Sequence, residues 1–141
     1  MTALSGSKDI VKFGNEAKVA LLPNGLSVKG SVTIHKGALV AQDGGFARPA
    51  RTSTTDVVLG VAEETVVNAG ADGAKLLSRI VRGVFGFVNS SAGDLIVAAD
   101  IGKVVYVVDD QTVAKTDGTS TRVAAGKCVG FEGTTVLVEV G

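Results

Sequence analysis

The sequence predicts an all-β fold: a compact β-sandwich or barrel-like body of short antiparallel strands, preceded by an extended N-terminal arm. Glycine is abundant, with 19 residues in a chain of 141 and no collagen-like period, which indicates many tight turns. Apolar residues alternate with polar ones along several short segments, and no window shows an apolar stripe of helical spacing and helix length. We therefore assign residues 1–15 to the arm and residues 16–141 to a single β domain.

The arm, MTALSGSKDIVKFGN, shows no clean period and mixes Ser, Gly and Lys with isolated apolar side chains. A terminal segment of this kind often stays loose until a partner orders it, for instance by adding a strand to an exposed sheet edge. We predict that the arm binds such a partner through Leu4, Lys8, Ile10, Val11, Lys12 and Phe13.

The first half of the body shows period-two patterning. In VKGSVTIHK, Val28, Val32 and Ile34 share one face of a predicted half-buried strand. Asp43-Gly44-Gly45 has the composition of a hairpin turn. A polar loop is expected over residues 51–56 and a turn over 68–73. The strands predicted in this half are 28–36, 38–41, 46–48, 57–62 and 74–82.

The second half continues the pattern. Gly83 is predicted to interrupt a strand that resumes over 84–88, and a loop over 89–94 follows. Ala98-Ala99-Asp100 is expected to form a single helical turn. The segment 103–108 is apolar on both faces, which predicts a strand in the centre of the fold. The other strands predicted in this half are 95–98, 112–115, 123–131 and 135–140.

A weak internal repeat relates residues 37–64 to residues 102–133. Each segment starts at a glycine, runs along an apolar strand, turns on an aspartate and returns. Each then passes through a Thr/Ser loop and ends in a strand, LGVAEE in the first segment and VGFEG in the second. We interpret the pair as a sign of duplicated structure.

Composition also disfavours several partner classes. The 14 basic and 14 acidic residues balance, so no global positive field exists to hold nucleic acid. Cys128 is the one cysteine, so the chain cannot form an internal disulfide. The N-terminus lacks the apolar segment of a signal peptide, and no stretch approaches 18 apolar residues, so we expect no membrane partner.

No pattern of residues in the sequence predicts a catalytic site or a metal site. His35 is the single histidine, has no neighbouring cysteine, and is expected on the exposed face of its strand. Cys128 is expected to be a buried, inert thiol, since Lys127 lies on the opposite face. The glycine-rich stretches lack the spacing of a phosphate loop. We therefore expect no enzyme activity, no cofactor and no metal.

Asp109 and Asp110 are adjacent and directly follow the apolar segment 103–108. A calcium loop needs oxygen ligands alternating over about a dozen residues, and DDQTVAKTDGTS lacks that alternation. Catalytic carboxylate pairs usually come from separate strands that face one substrate. The pair is therefore predicted to form a β-turn, in which Asp side chains accept hydrogen bonds from turn amides.

One stretch resembles a known family. DIGKVVYVVDDQTVAKTDGTSTRVAAGKCVGF, at 100–131, is similar to the C-terminal part of small virion proteins of Mu-like and related tailed bacteriophages. The middle of the chain fits as well, with GALV, LGVAEE, NAGADGAK and RGVFGFVNS before a Gly-Asp. The resemblance covers roughly residues 30–140, and the arm matches less clearly.

The resemblance implies a head decoration (capsid cement) protein. Such a protein is assembled in the host bacterial cytoplasm and sits on the capsid exterior of the virion, commonly as a homotrimer. It stabilises contacts between subunits of the major capsid protein, which the N-terminal arm (residues 1–15) would help to bind, and it has no catalytic residues. Two alternatives remain: a head-fibre or tail-associated module that binds host glycans, and a small hydrolase. Sugar sites favour exposed aromatic residues, and this chain has one Tyr and five Phe, mostly at predicted strand positions.

Overall fold

The computed structural model describes residues 3–7 and 18–141, and it confirms the all-β fold. Two short 3₁₀ turns, Ala92–Asp94 and Ala98–Asp100, interrupt the strands. The strands of the described part are β1 (Lys18–Ser27), β2 (Val32–Ile34), β3 (Leu39–Asp43), β4 (Phe46–Pro49), β5 (Val57–Ala62), β6 (Val66–Asn68), β7 (Leu76–Asn89), β8 (Val104–Val107), β9 (Thr112–Ala114), β10 (Ala124–Glu132) and β11 (Thr135–Val140).

Five strands close into a ring in the C-terminal half, which we call the C-terminal ring. Its order is β7-β9-β8-β10-β11, and β11 pairs back onto β7 from Thr135 opposite Val88 to Val140 opposite Gly83. The pairing of β7 with β9 is parallel, and the others are antiparallel. Closure removes the exposed strand edges that would otherwise recruit other chains.

The first part of β7 belongs to a second set of strands, the N-terminal ring. Its order is β7-β5-β3-β4, and β1 pairs with β7 on the other side. The gap between β1 and β4 is bridged just after β1, where Val28 pairs with Ala47 and the Lys29 amide donates to the Ala47 carbonyl at 2.8 Å. The small β2–β6 sheet packs Ile34 and Val66 against this ring.

Two apolar clusters fill the molecule, and β7 lies between them. The larger cluster holds Val105, Val136 and Val138 of the C-terminal ring together with side chains of β3 and β5. The smaller cluster belongs to the N-terminal ring and β2. Ile80 is buried in the smaller cluster and its neighbour Val81 in the larger one, so β7 has a core on each face at this point.

The two segments of the weak repeat have the same strand order. In residues 37–64, β3 lies between β4 and β5; in residues 102–133, β8 lies between β9 and β10. In both, the first strand forms a hairpin with the second and pairs antiparallel with the third. The Asp43-Gly44-Gly45 turn that closes the first hairpin is confirmed, with positive φ angles of 60° and 94° at its glycines.

Two strand predictions near glycine were wrong. The strand over 28–36 is broken, because Gly30 packs against the Gly70 backbone and Ser31 has a φ of 58°. Its apolar positions Val28 and Ile34 are nevertheless buried. Gly83 does not interrupt β7, because it stays paired with Val140 and continues the ladder.

One other prediction in the second half was wrong, and one was confirmed only in part. Residues 95–98 are not a strand: Ile96 is held by Asn89 while Leu95 and Val97 point outward, and the predicted turn Ala98–Asp100 follows. The segment around β8 is central in strand order but not buried on both faces, since Val104 is 48% exposed.

Candidate functional site

Asp110 holds the N-terminal segment against the body. The backbone amide of Leu4 donates a hydrogen bond to Asp110 Oδ1 at 2.7 Å, across 106 residues of sequence. Asp110 is only 2% exposed, and Leu4 is half-buried beside it. A backbone amide paired with a carboxylate makes one of the stronger hydrogen bonds in proteins. Asp110 is therefore an attachment point for residues 3–7.

Thr65 provides a second attachment point. Its Oγ1 lies 2.6 Å from Ser7 Oγ and accepts a hydrogen bond from the Lys36 amide at 3.0 Å. The body itself therefore orients the Thr65 hydroxyl. We call Asp110 and Thr65, with the backbone that positions them, the segment-binding site.

Asp109 and Asp110 have different structural roles. Asp109 is the turn residue that the sequence predicted, because its Oδ1 accepts the Gln111 amide at 3.0 Å. Asp110 instead points inward, and its carbonyl accepts the Leu39 amide at 2.9 Å. The turn prediction is thus confirmed for Asp109, while the burial of Asp110 and its contact with Leu4 went unforeseen.

Burial raises the pKa of Asp110 above its ordinary value, and the negative charge of Asp109 adds to that effect. The Leu4 hydrogen bond and the charge of His35 act in the opposite direction but do not outweigh burial. His35 was expected on the exposed face of a strand; it lies just after β2, half-buried and within electrostatic range of Asp110.

An apolar groove opens on the C-terminal ring. Its volume is about 620 Å³, and its lining includes Val88, Leu95, Val97 and Phe131. Val88 is 45% exposed, and Leu95 and Val97 are each 41% exposed. Large side chains that share such a groove and remain this exposed are typical of a surface that binds another molecule.

Hydrogen bonds on both sides hold the loop that forms one wall of the groove. Asn89 donates to the Ile96 carbonyl and accepts from the Ile96 amide, both at 2.9 Å. At the other end Asp94 accepts from Arg122 at 3.2 Å and from the Thr116 hydroxyl. The Thr116 hydrogen bond, opposed in part by burial and supported by Arg122, lowers the pKa of Asp94. The groove is thus built into the folded protein.

Exposed apolar side chains extend beyond the groove on the same ring. Of nine large apolar side chains exposed in the described part of the chain, six belong to residues 88–129. Ile101, Val104 and Val129 complete this set. Val129 belongs to β10, and Ile101 and Val104 lie beside that strand, since the Gly102 amide donates to the Cys128 carbonyl and Val104 pairs with Lys127. We call the six residues Val88, Leu95, Val97, Ile101, Val104 and Val129 the apolar face.

An ion-pair network covers the hairpin of the N-terminal ring. Arg51 Nε donates to the buried Asp56 carboxylate at 2.9 Å and its Nη2 to Asp43 at 3.2 Å, while Lys29 and Arg48 also approach Asp43. Burial alone would raise the pKa of Asp56, but hydrogen bonds from Arg51 and Ser53 and the nearby positive charges lower it. Asp43 and Asp56 are therefore structural partners of the arginines in this network.

The described residues that could carry catalytic or metal chemistry do not form a site. Cys128 is fully buried in the larger cluster, as expected, and burial raises the pKa of its thiol. Among the residues that the structure describes, no three His, Cys, Asp or Glu side chains come together as a metal-binding group. No helix in residues 3–7 or 18–141 has the length and apolar content to cross a membrane.

The predicted binding arm falls largely outside the described residues. Leu4 lies in the segment-binding site, whereas Lys8, Ile10, Val11, Lys12 and Phe13 lie outside the described part of the chain. The apolar face was missed because Leu95, Val97 and Val104 have the apolar character of core residues, and only the three-dimensional fold shows that they are exposed. Asp110 was missed because its donor lies over a hundred residues away.

Comparison of the chain with protein-family models, with curated proteins and with solved structures found no match.

Proposed function

We propose that this chain is a virion structural protein that decorates the outside of a tailed-phage capsid, as a homotrimer, and stabilises contacts between major capsid subunits. The observation that carries the proposal is the apolar face with its groove. An all-β body with such a face is suited to binding another protein through a fixed surface. The similarity of residues 100–131 to phage virion proteins supports the choice of partner.

The apolar face is the surface that meets the shell. Burial of apolar side chains contributes about 25 cal/mol per Å² removed from water, so a few half-exposed valines and leucines give only modest affinity per copy. A trimer that engages several capsid subunits at once multiplies this affinity without new contacts. A pre-formed groove also avoids the entropy cost of ordering a loop on binding.

Charge is consistent with a protein partner. Lys103 and Lys127 are exposed around the apolar face, as are Glu132 and Glu139. Mixed charges around an apolar centre resemble the polar rim of protein interfaces, in which register is set by charge and affinity by the centre. The chain as a whole is neutral, which supports a binding role that does not involve the packaged DNA.

Sedimentation with purified shells tests the proposal. Leu95→Asp combined with Val97→Asp should weaken binding of the protein to shells of the phage that encodes it by about tenfold or more, since charges at an interface centre cost over 1.4 kcal/mol. The matched control is Val57→Asp with Val67→Asp, which alters two side chains of 52% and 57% exposure away from the apolar face. Equal binding by both double variants would remove the apolar face from the proposed interface.

A further inference from the structure

We propose that the segment-binding site is an exchange site: in the assembled protein, residues 3–7 of one copy bind the Asp110 and Thr65 of a second copy. This inference rests on the proposed homotrimer and adds to it the contact that joins the subunits. The occupant is therefore the N-terminal segment of another copy of this chain.

The body builds the site without help from the segment. The Asp110 backbone is fixed by the Leu39 amide, and the Thr65 hydroxyl by the Lys36 amide. The segment adds the Leu4 amide on Asp110 and the Ser7 hydroxyl on Thr65. A receptor that is already shaped makes the same contacts with this segment whether the segment comes from its own chain or from another.

The contacts favour exchange over simple release. Ala3, Ser5, Gly6 and Ser7 are exposed and Leu4 is half-buried, so the segment is held at only a few points. An empty site would leave the buried Asp110 carboxylate without the hydrogen bond from the Leu4 amide. That hydrogen bond would then no longer offset the cost of removing the carboxylate from water. The same segment of another copy restores the same hydrogen bonds.

Chain length and symmetry permit the exchange. Ten residues, 8–17, join Ser7 to β1, and a chain of that length can span up to about 35 Å. Contacts that are identical within and between chains make segment exchange a low-cost route to oligomers. Head-to-tail exchange among three copies closes a ring, because each copy then gives one segment and receives one.

A disulfide across the Ser7–Thr65 contact tests the exchange. The two hydroxyl oxygens lie 2.6 Å apart, so Ser7→Cys with Thr65→Cys places two sulfurs within bonding reach. After folding and mild oxidation, the double variant should run on a non-reducing gel as covalent trimers with dimeric intermediates. A monomer with an internal disulfide, or no disulfide at all, would overturn the proposal. Wild-type protein is the control, because Cys128 is fully buried.

Mixing two single variants gives a second test that a folding defect cannot mimic. Both Ser7 and Thr65 are exposed, so each single cysteine leaves the core intact. Ser7→Cys and Thr65→Cys proteins, refolded together and then oxidised, should yield a heterodimeric disulfide identified by mass spectrometry. Homodimeric species alone would contradict exchange.

The outcome can be separated from that of the proposed function. Wild-type protein is tested in parallel for shell binding and for trimer formation by light scattering. A shell-bound trimer whose double cysteine variant closes its disulfide within one chain refutes the exchange and leaves the decoration role standing. Covalent trimers with no affinity for shells refute the role and leave the exchange standing.

Discussion

At the scale of single residues, Asp109 and Asp110 show that two adjacent residues of one type can have different structural roles. Asp109 caps a turn amide next to it, which sequence alone predicts from the preference of Asp for turns. Asp110 is buried and binds a segment 106 residues away, and no local pattern encodes that contact. His35 is close enough to Asp110 to affect its pKa, and this proximity also depends on the fold and cannot be predicted from the alternation of residues along a strand.

The raised pKa of Asp110 predicts a pH dependence of stability. The folded protein keeps this carboxyl protonated at pH values where the unfolded chain has already ionised it, so the folded state binds more protons in that window. As pH rises above about 4 through the folded pKa, the free energy of unfolding of wild type should therefore fall relative to that of Asp110→Asn. Urea unfolding of both proteins across pH 3–8 measures this difference. A difference that grows in favour of wild type over the same range would contradict the assignment.

Asp56→Asn should show the opposite sign. The Asp56 pKa is lowered, so its ionised form stabilises the fold above the unfolded pKa, and that contribution is lost as pH falls through the folded pKa. The stability advantage of wild type over Asp56→Asn should thus grow with rising pH in the acidic range and then level off. The same urea series measures it, and an absence of pH dependence would show that Arg51 does not stabilise the ionised carboxylate.

At the scale of elements, the sequence predicts strands well where one face is buried and turns carry glycine. β5 and β11 match the predicted spans, and in β11 Val136, Val138 and Val140 alternate inward. The predictions fail where tertiary contacts override the local pattern. Gly83 stays in its strand because β11 pairs with it, and residues 95–98 leave the sheet because Asn89 captures the Ile96 backbone.

Gly60 tests how closely β5 and β7 approach in the N-terminal ring. A Cβ at this position would lie 2.8 Å from the Val81 carbonyl oxygen, which is backbone and cannot move aside. Gly60→Ala should therefore destabilise the fold by about 1–3 kcal/mol in thermal or urea unfolding. Gly93→Ala is the matched control, since its Cβ would meet open space. Equal stability of the two variants would show that the two strands do not approach this closely.

At the scale of the whole molecule, one long strand, β7, belongs to both rings. The sequence supports an all-β body and a weak repeat, but the sharing of β7 by both rings depends on pairings between distant strands. The apolar face was likewise beyond sequence reasoning, because exposed and buried valines look alike along the chain. In the proposed assembly, the apolar face meets the shell and the segment-binding site joins the copies.

Removal of the N-terminus should separate these two roles. A protein lacking residues 1–7 keeps every described strand but loses the Leu4 and Ser7 contacts. We expect it to fold, to lose trimer formation in light scattering, and to bind shells more weakly because it has lost multivalency. A truncated protein that remains trimeric would place the subunit contacts elsewhere.

Cryo-electron microscopy of the phage particle tests the central claim most directly. The account predicts density for the two-ring body on the outer surface of the capsid, in groups of three, with Leu95 and Val97 facing the major capsid subunits. Density for this chain on the tail, or its absence from purified particles, would contradict the account.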